Sequence, residues 1–259
     1  MRLPAFLATI AMLTTFEAAS MQCTAESGAR RVALLELYTS EGCDSCPPTD
    51  RWVSSLPKLG MNPERVVTLG FHVDYWNYLG WNDPYARAEY SARQRAASQR
   101  SGSRVIYTPQ LLLNGRDYRR GTFKDDFADR VGTLNQEKPK ARVRLNMNAE
   151  STGAISVQGS ADVTDAAERR DAQAYLAVYE NNLTGQVAAG ENRGKRLRHD
   201  HVVRELAGPY PAGAGGAITF EHRFKLDPRW KPADLYVAIF VQNARSGDVL
   251  QALAIPGCR

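Results

Sequence analysis

Residues 37–48 read Leu-Tyr-Thr-Ser-Glu-Gly-Cys-Asp-Ser-Cys-Pro-Pro, an apolar stretch that turns through a glycine into Cys43 and Cys46 and then into two prolines. The run leading into it, residues 31–39 (RVALLELYT), is nearly continuous in apolar character. That is the pattern of a strand buried on both faces of a parallel sheet. On the other side, Pro47 and Pro48 suit a first helical turn, where a missing N–H has no intrahelical partner to lose. Trp52, Val53, Leu56 and Leu59 then recur at helical spacing, predicting a helix over residues 49–59. Cys43 therefore sits at the mouth of a helix, where free N–H groups and the macrodipole favour a thiolate. In a Cys-x-x-Cys that opens a helix, the first sulfur is expected to point outward and the second to be shielded. Zinc sites also use this spacing, but no second such pair and no spaced histidine pair follows nearby to complete one.

Outward from this motif, residues 66–73 (VVTLGFHV) predict a second strand. Asn82-Asp83-Pro84 starts a long polar helix over residues 85–99, ended by Ser101-Gly102. Residues 105–114 (VIYTPQLLLN) read as a strand interrupted by Pro109 and closed by the Asn114-Gly115 turn, and residues 122–134 as a last helix. Strands alternating with helices in this way predict an α/β layer with a largely parallel sheet. Beyond Gln136 the texture changes to short alternating segments, at 141–147, 154–159, 172–180, 217–226, 235–242 and 249–255, separated by turns rich in Gly, Asn, Asp and Pro. These predict a smaller all-β domain of sandwich type, with an immunoglobulin-like arrangement as one form of it.

The chain has 259 residues, with 43% hydrophobic, 24% charged and a net charge of +5, which is ordinary for a globular protein. Its charges are interspersed without a polybasic run, so nucleic acid is not an expected partner. Residues 1–20 carry Arg2, a short apolar stretch and Ala18-Ala19-Ser20, the layout of a secretory signal peptide. The apolar stretch is too short for a membrane span, and no later segment is long and apolar enough for stable membrane insertion. A secreted or periplasmic location follows. The alternative for residues 1–20 is a buried helix. In an oxidising compartment four cysteines suggest pairing. Cys43 and Cys46 can pair across one helical turn, which leaves Cys23 and Cys258 to form a structural disulfide or to stay as unpaired terminal thiols.

A strand, a turn, Cys43-Asp44-Ser45-Cys46 and a helix, followed some sixty residues later by Thr108-Pro109-Gln-Leu-Leu-Leu-Asn-Gly, resembles thioredoxin. That resemblance implies an α/β thioredoxin-like domain, residues 28–137, followed by the smaller all-β domain, residues 138–259. It implies Cys43 as the attacking thiol, Cys46 as the resolving thiol and Pro109 as a cis-proline beside the disulfide. Thr108 would dock substrate through its backbone. In thioredoxin a buried acid beneath the cysteines relays a proton, and Glu36 is the candidate here. Its spacing to Cys43 is one residue longer, and a salt bridge is the alternative. Closer still, LYTSEGCDSCPP with FHVDYWNYLGW (residues 71–81) and the β-rich continuation resembles the secreted DUF1223 family.

The expected function is a thiol–disulfide oxidoreductase acting on protein or small-molecule thiols, with an unidentified redox partner and no cofactor. Tyr75, Trp76 and Trp81 follow the second strand directly and either line a substrate groove or pack over the sheet. Two other readings stay open. One is a copper-binding or copper-delivering protein using Cys43, Cys46 and His72, the other a redox-inert binding module. Residues 191–201, with His199-Asp200-His201, read as a solvated polar loop with no assigned chemistry.

Overall fold

Every residue of strand β2 (Ala33–Thr39) is buried, and the same holds for the parallel strand β3 (Val66–His72) beside it. The computed structural model describes residues 21–103, 105–119 and 126–258. The expected signal peptide, and residues 122–125 of the helix expected over 122–134, lie outside them. The described residues open with β1 (Met21–Glu26), then run through β2, α1 (Pro47–Ser55), β3, α2 (Ala88–Arg100), β4 (Gln110–Leu113), β5 (Arg116–Asp117) and α3 (Phe127–Gln136). Nine strands follow: β6 (Ala141–Glu150), β7 (Ala154–Val163), β8 (Ala172–Glu180), β9 (Leu183–Gln186), β10 (Arg196–His199), β11 (Val202–Pro211), β12 (Ala217–Lys225), β13 (Leu235–Asn243) and β14 (Val249–Pro256).

Eight strands share one sheet in the order β14-β13-β8-β11-β3-β2-β4-β5. Only β2 with β3, and a single pair between β11 and β3, run parallel; the other ladders of this sheet are antiparallel. The largely parallel sheet expected from the alternation is corrected accordingly. The reason is that β4 returns antiparallel to β2 and the far side of the sheet is built by hairpin-linked strands from the second half. A second sheet, β1-β6-β7-β12, is antiparallel throughout, and β9 and β10 pair only with each other. The boundary expected near residue 137 falls between α3 and β6, and strands from both sides of it belong to the eight-stranded sheet.

Alternation along the strands divides the interior into layers. Leu34 and Tyr38 of β2, Phe71 of β3, Tyr179 of β8 and Phe240 of β13 face one side, where Tyr90 and Ala97 of α2 cover them. On the opposite side, Ala33, Leu35 and Leu37 meet Trp52, Val53 and Leu56 from α1 and its 3-10 extension, together with Phe127 and Val131 of α3. Farther along that side, Leu176, Val178, Val237 and Ile239 meet Leu145, Met147, Val157, Phe220 and Phe224 of the four-stranded sheet. Burial of so much apolar area in continuous layers drives the two halves together. A disulfide between Cys23 and Cys258, with Cα atoms 5.9 Å apart, joins β1 to the segment after β14. No helix among the described residues is long and apolar enough to cross a membrane.

Candidate functional site

The turn after β2 is shaped by short-range bonds: the Gly42 N–H donates to Ser40 Oγ at 3.1 Å, and the Cys43 N–H donates to Ser40 O at 3.2 Å. Cys46 occupies the N-cap of α1, with Pro47 and Pro48 in the first turn as their ring geometry favours. Cys43 and Cys46 form a disulfide with Cα atoms 5.5 Å apart. Asp44 and Ser45 between them are exposed, yet both cysteines are 0% exposed. The expectation that Cys43 would point outward is therefore corrected. Trp76 and the loop between β9 and β10 pack against the turn that carries Cys43. A methyl group at Gly42 would sit 3.0 Å from Trp76 Cβ, and Gly190 of the loop packs against Gly42.

The Thr108–Pro109 peptide is cis, the isomer the resemblance implies. Pro109 lines an open cleft with Thr49 of α1, Tyr107, Leu111 and Tyr118. Trp76 Nε1 donates to Thr108 Oγ1 at 2.8 Å, Tyr75 donates to Gln94 Oε1 at 3.2 Å, and Trp81 Nε1 donates to Glu41 Oε2 at 2.8 Å. All three aromatics are half-buried, and their polar atoms are committed within the protein. Gln94, fully buried on α2, also donates to Tyr107 O and Gln110 Oε1, fixing the segment around Pro109 against the helix.

Glu36 goes elsewhere. Its side chain lies on the α2 side of the sheet, the side opposite α1, and pairs with Arg93 Nε at 2.7 Å while accepting from the Tyr38 hydroxyl at 3.1 Å. Arg93 is itself stacked over Tyr175 and Phe240. A one-residue change of spacing on a strand moves a side chain to the other face. That accounts for the separation of Glu36 from the helix that carries the cysteines.

The acids on the α1 side are others. Asp50, one turn beyond Cys46, is buried, accepts from Thr39 Oγ1 at 2.8 Å and lies 3.8 Å from His199 Nδ1. His199 Nε2 meets Glu41 Oε1 at 3.2 Å, and His72 Nδ1 meets Asp83 Oδ2 at 2.7 Å, with the two imidazole rings 4.9 Å apart. Asp83 Oδ2 also accepts the Glu41 N–H at 2.8 Å. Burial raises the Asp50 carboxyl above its ordinary range, and the nearby histidines offset this only in part. For His72, burial alone would lower the pKa, but the charge and hydrogen bond of Asp83 outweigh it and the net direction is up. Asp83 moves down in turn: burial raises it, but the His72 charge and hydrogen bond, together with the N–H groups of Glu41 and Tyr85, more than compensate.

His199 is thus buried in this cluster rather than in the solvated loop expected from sequence, while His201 is half-buried, its pKa held down to about 4 by burial. No set of three or more His, Cys, Asp or Glu among the described residues is arranged to hold a metal ion. Sequence reasoning passed over Asp50, Glu41, Asp83 and Asn192. Asp50 carried a usable signal, since a position four residues after Cys46 in a helix shares its face. The other three arrive by tertiary packing from loops and leave no local pattern.

Fold and site together define an α/β protein with mixed sheets and a buried Cys-x-x-Cys disulfide at a helix N-terminus. The chain belongs to the DUF1223 family, described as proteins of unknown function, whose model matches residues 34–242. It is similar to a crystallographically determined protein of Agrobacterium tumefaciens, at 26% identity over 89% of this chain and 96% of that one, with a TM-score of 0.62. It also shares its fold with HBP35 of Porphyromonas gingivalis, at 18% identity over 89% of this chain and 76% of that one, with a TM-score of 0.66. No curated protein matches the chain.

Proposed function

We propose that the Cys43–Cys46 pair cycles between disulfide and dithiol, and that the protein is an exported thiol–disulfide oxidoreductase on a thioredoxin-like scaffold. The observation that carries this reading is the pair's position at the N-terminus of α1, with the protonatable Asp50 one turn further along the same helix. Pro47 and Pro48 leave no N–H at the first two helical positions, so the helix end stabilises a thiolate through its dipole. The cis-Pro109 cleft beside α1 is consistent with an extended substrate. Two disulfides and the signal-like residues 1–20 support an oxidising compartment.

In the reducing direction, the Cys43 thiolate attacks one sulfur of a substrate disulfide, forming a mixed disulfide and releasing the other sulfur as a thiolate that takes up a proton. The Cys46 thiolate then attacks Cys43 Sγ, releases the second substrate thiolate and closes the Cys43–Cys46 bond. Two electrons pass from the pair to the substrate. In this reading Asp50, one turn along the helix and raised in pKa by burial, accepts the Cys46 proton. Protein and small-molecule disulfides both fit this chemistry.

The complete burial of both sulfurs favours a second reading, a structural disulfide that never exchanges. Turnover separates the two. On the redox reading, Cys43→Ser abolishes reduction of a disulfide substrate, while Cys46→Ser accumulates a mixed disulfide on Cys43 detectable by mass spectrometry. A Cys43→Ser protein that keeps full activity contradicts it.

A further inference from the structure

The two-stranded ladder of β9 and β10 belongs to neither large sheet, and its connecting loop reaches across to the cysteines. The loop is closed on itself: the Val187 N–H donates to Lys195 O at 3.0 Å, the Gly194 N–H to Val187 O at 2.8 Å and the Lys195 N–H to Asn192 O at 3.0 Å. Gly190 and Gly194 take left-handed φ values of 73° and 83°. At its tip Asn192 is 0% exposed. Its Nδ2 donates to Glu41 O at 2.9 Å and to Cys43 O at 2.8 Å, while its Oδ1 accepts from Lys195 Nζ at 2.9 Å. Two carbonyl acceptors on one side and an ammonium donor on the other fix the amide's orientation. Beside it, Glu191 Oε2 accepts the Asp44 N–H at 3.1 Å.

These contacts fasten a self-contained flap onto the backbone of the Cys-x-x-Cys turn. The ladder itself is anchored, with Leu183, Leu197 and His199 buried and His199 meeting Glu41 and Asp50, so the part that can lift is the loop beyond it, held by what its tip grips. The grip falls on Cys43 and on both of its neighbours, Gly42 through packing and Asp44 through Glu191. Lifting the flap uncovers the turn that carries Cys43.

We infer that residues 187–195 form a gate over Cys43, latched by Asn192, so that thiol exchange proceeds only from a flap-open state. The gate rests on the redox reading of the pair and specifies how that site is controlled. The latch comes from the second half of the chain and the cysteines from the first, which gives the β-rich half a role in the exchange. Asn192 acts here as a positioning residue.

The test is reduction of the folded, oxidised protein by dithiothreitol, with acid quenching, alkylation and mass spectrometry of each disulfide. One reagent thiolate attacks Cys43 Sγ and Cys46 leaves as a thiolate. The second reagent thiol then displaces Cys43 as the reagent closes to its cyclic disulfide, so two electrons reach the pair. In the wild-type protein the gate predicts a rate that levels off as dithiothreitol rises, because opening becomes limiting. Asn192→Ala loses two neutral hydrogen bonds that hold the closed state and should speed reduction about tenfold. The Cys23–Cys258 bridge, which the loop does not touch, provides an internal reference with an unchanged rate. A wild-type rate that stays linear in reductant overturns the gate while leaving the redox reading intact, and needs no variant to fold. So does an Asn192→Ala rate equal to wild type. If the Cys43–Cys46 bond resists reduction in both folded proteins, the redox reading fails and the gate falls with it.

Discussion

Glu36 is the only acidic residue on β2, and its worth is decided by what lies against it. Its partner Arg93 is stacked over aromatic rings, so the carboxylate neutralises a cation that has already left water. Glu36→Gln leaves that guanidinium short of its counter-charge, and removing one member of a buried pair costs about 3–5 kcal/mol. We expect a loss of that size in urea unfolding, with the Cys43–Cys46 reduction potential unchanged. A shifted potential with stability intact would return Glu36 to the redox centre. The sequence makes both cysteines and Pro109 legible because their chemistry is local: a spacing, a helix start, a Thr-Pro pair. It does not make Asn192 or Asp83 legible, since each is an ordinary polar residue in a loop until the chain brings it to Glu41.

Between elements, the approach to α2 is fastened to the end of β3 by the His72–Asp83 pair, so the junction should respond to pH. The folded-state pKa of His72 is raised above its ordinary 6.5, so its contribution to stability is full below that value and is lost as pH rises through the folded-state pKa. Asp50, also raised, acts in the same sense from 3.8 upward. Asp83, lowered, contributes above 3.8, and that contribution is lost as pH falls through its folded-state pKa. Unfolding free energy should therefore decline on the alkaline side of pH 6.5. Asp83→Asn should flatten that decline and move the His72 titration downward in NMR. An unchanged slope in the variant contradicts the assignment. The elements themselves were legible where burial gives a clean period. β8, expected at residues 172–180, spans Ala172–Glu180, and β2 and β3 form where their apolar runs lie. β11 escaped because register shifts at Val203/Glu205 and Ala207/Tyr210 break its alternation and a Gly208–Pro209 pair interrupts it. The strand expected over residues 105–114 shrinks to Gln110–Leu113, since Pro109 has no N–H to give a ladder.

At the scale of the molecule, the β-rich half does more than follow the α/β half. β11 pairs with β3 and extends its sheet, a long-range contact that no local pattern announces. Cys23–Cys258 ties one end of the described chain to the other, and His199 and Asn192 reach from the second half to the turn that carries the cysteines. Two cysteine pairs thus stand in different settings, one bracing the ends and one buried at a helix mouth beside a charged cluster. The second pair is the one we propose as a redox centre. The direct measurement is its equilibrium reduction potential against glutathione and dithiothreitol buffers, with thiol trapping to assign the sulfurs. A reversible midpoint between about −120 and −270 mV, the span of known exchange-active dithiols, is the predicted result. A pair that stays oxidised to below about −300 mV in the folded protein, as structural disulfides do, would contradict it.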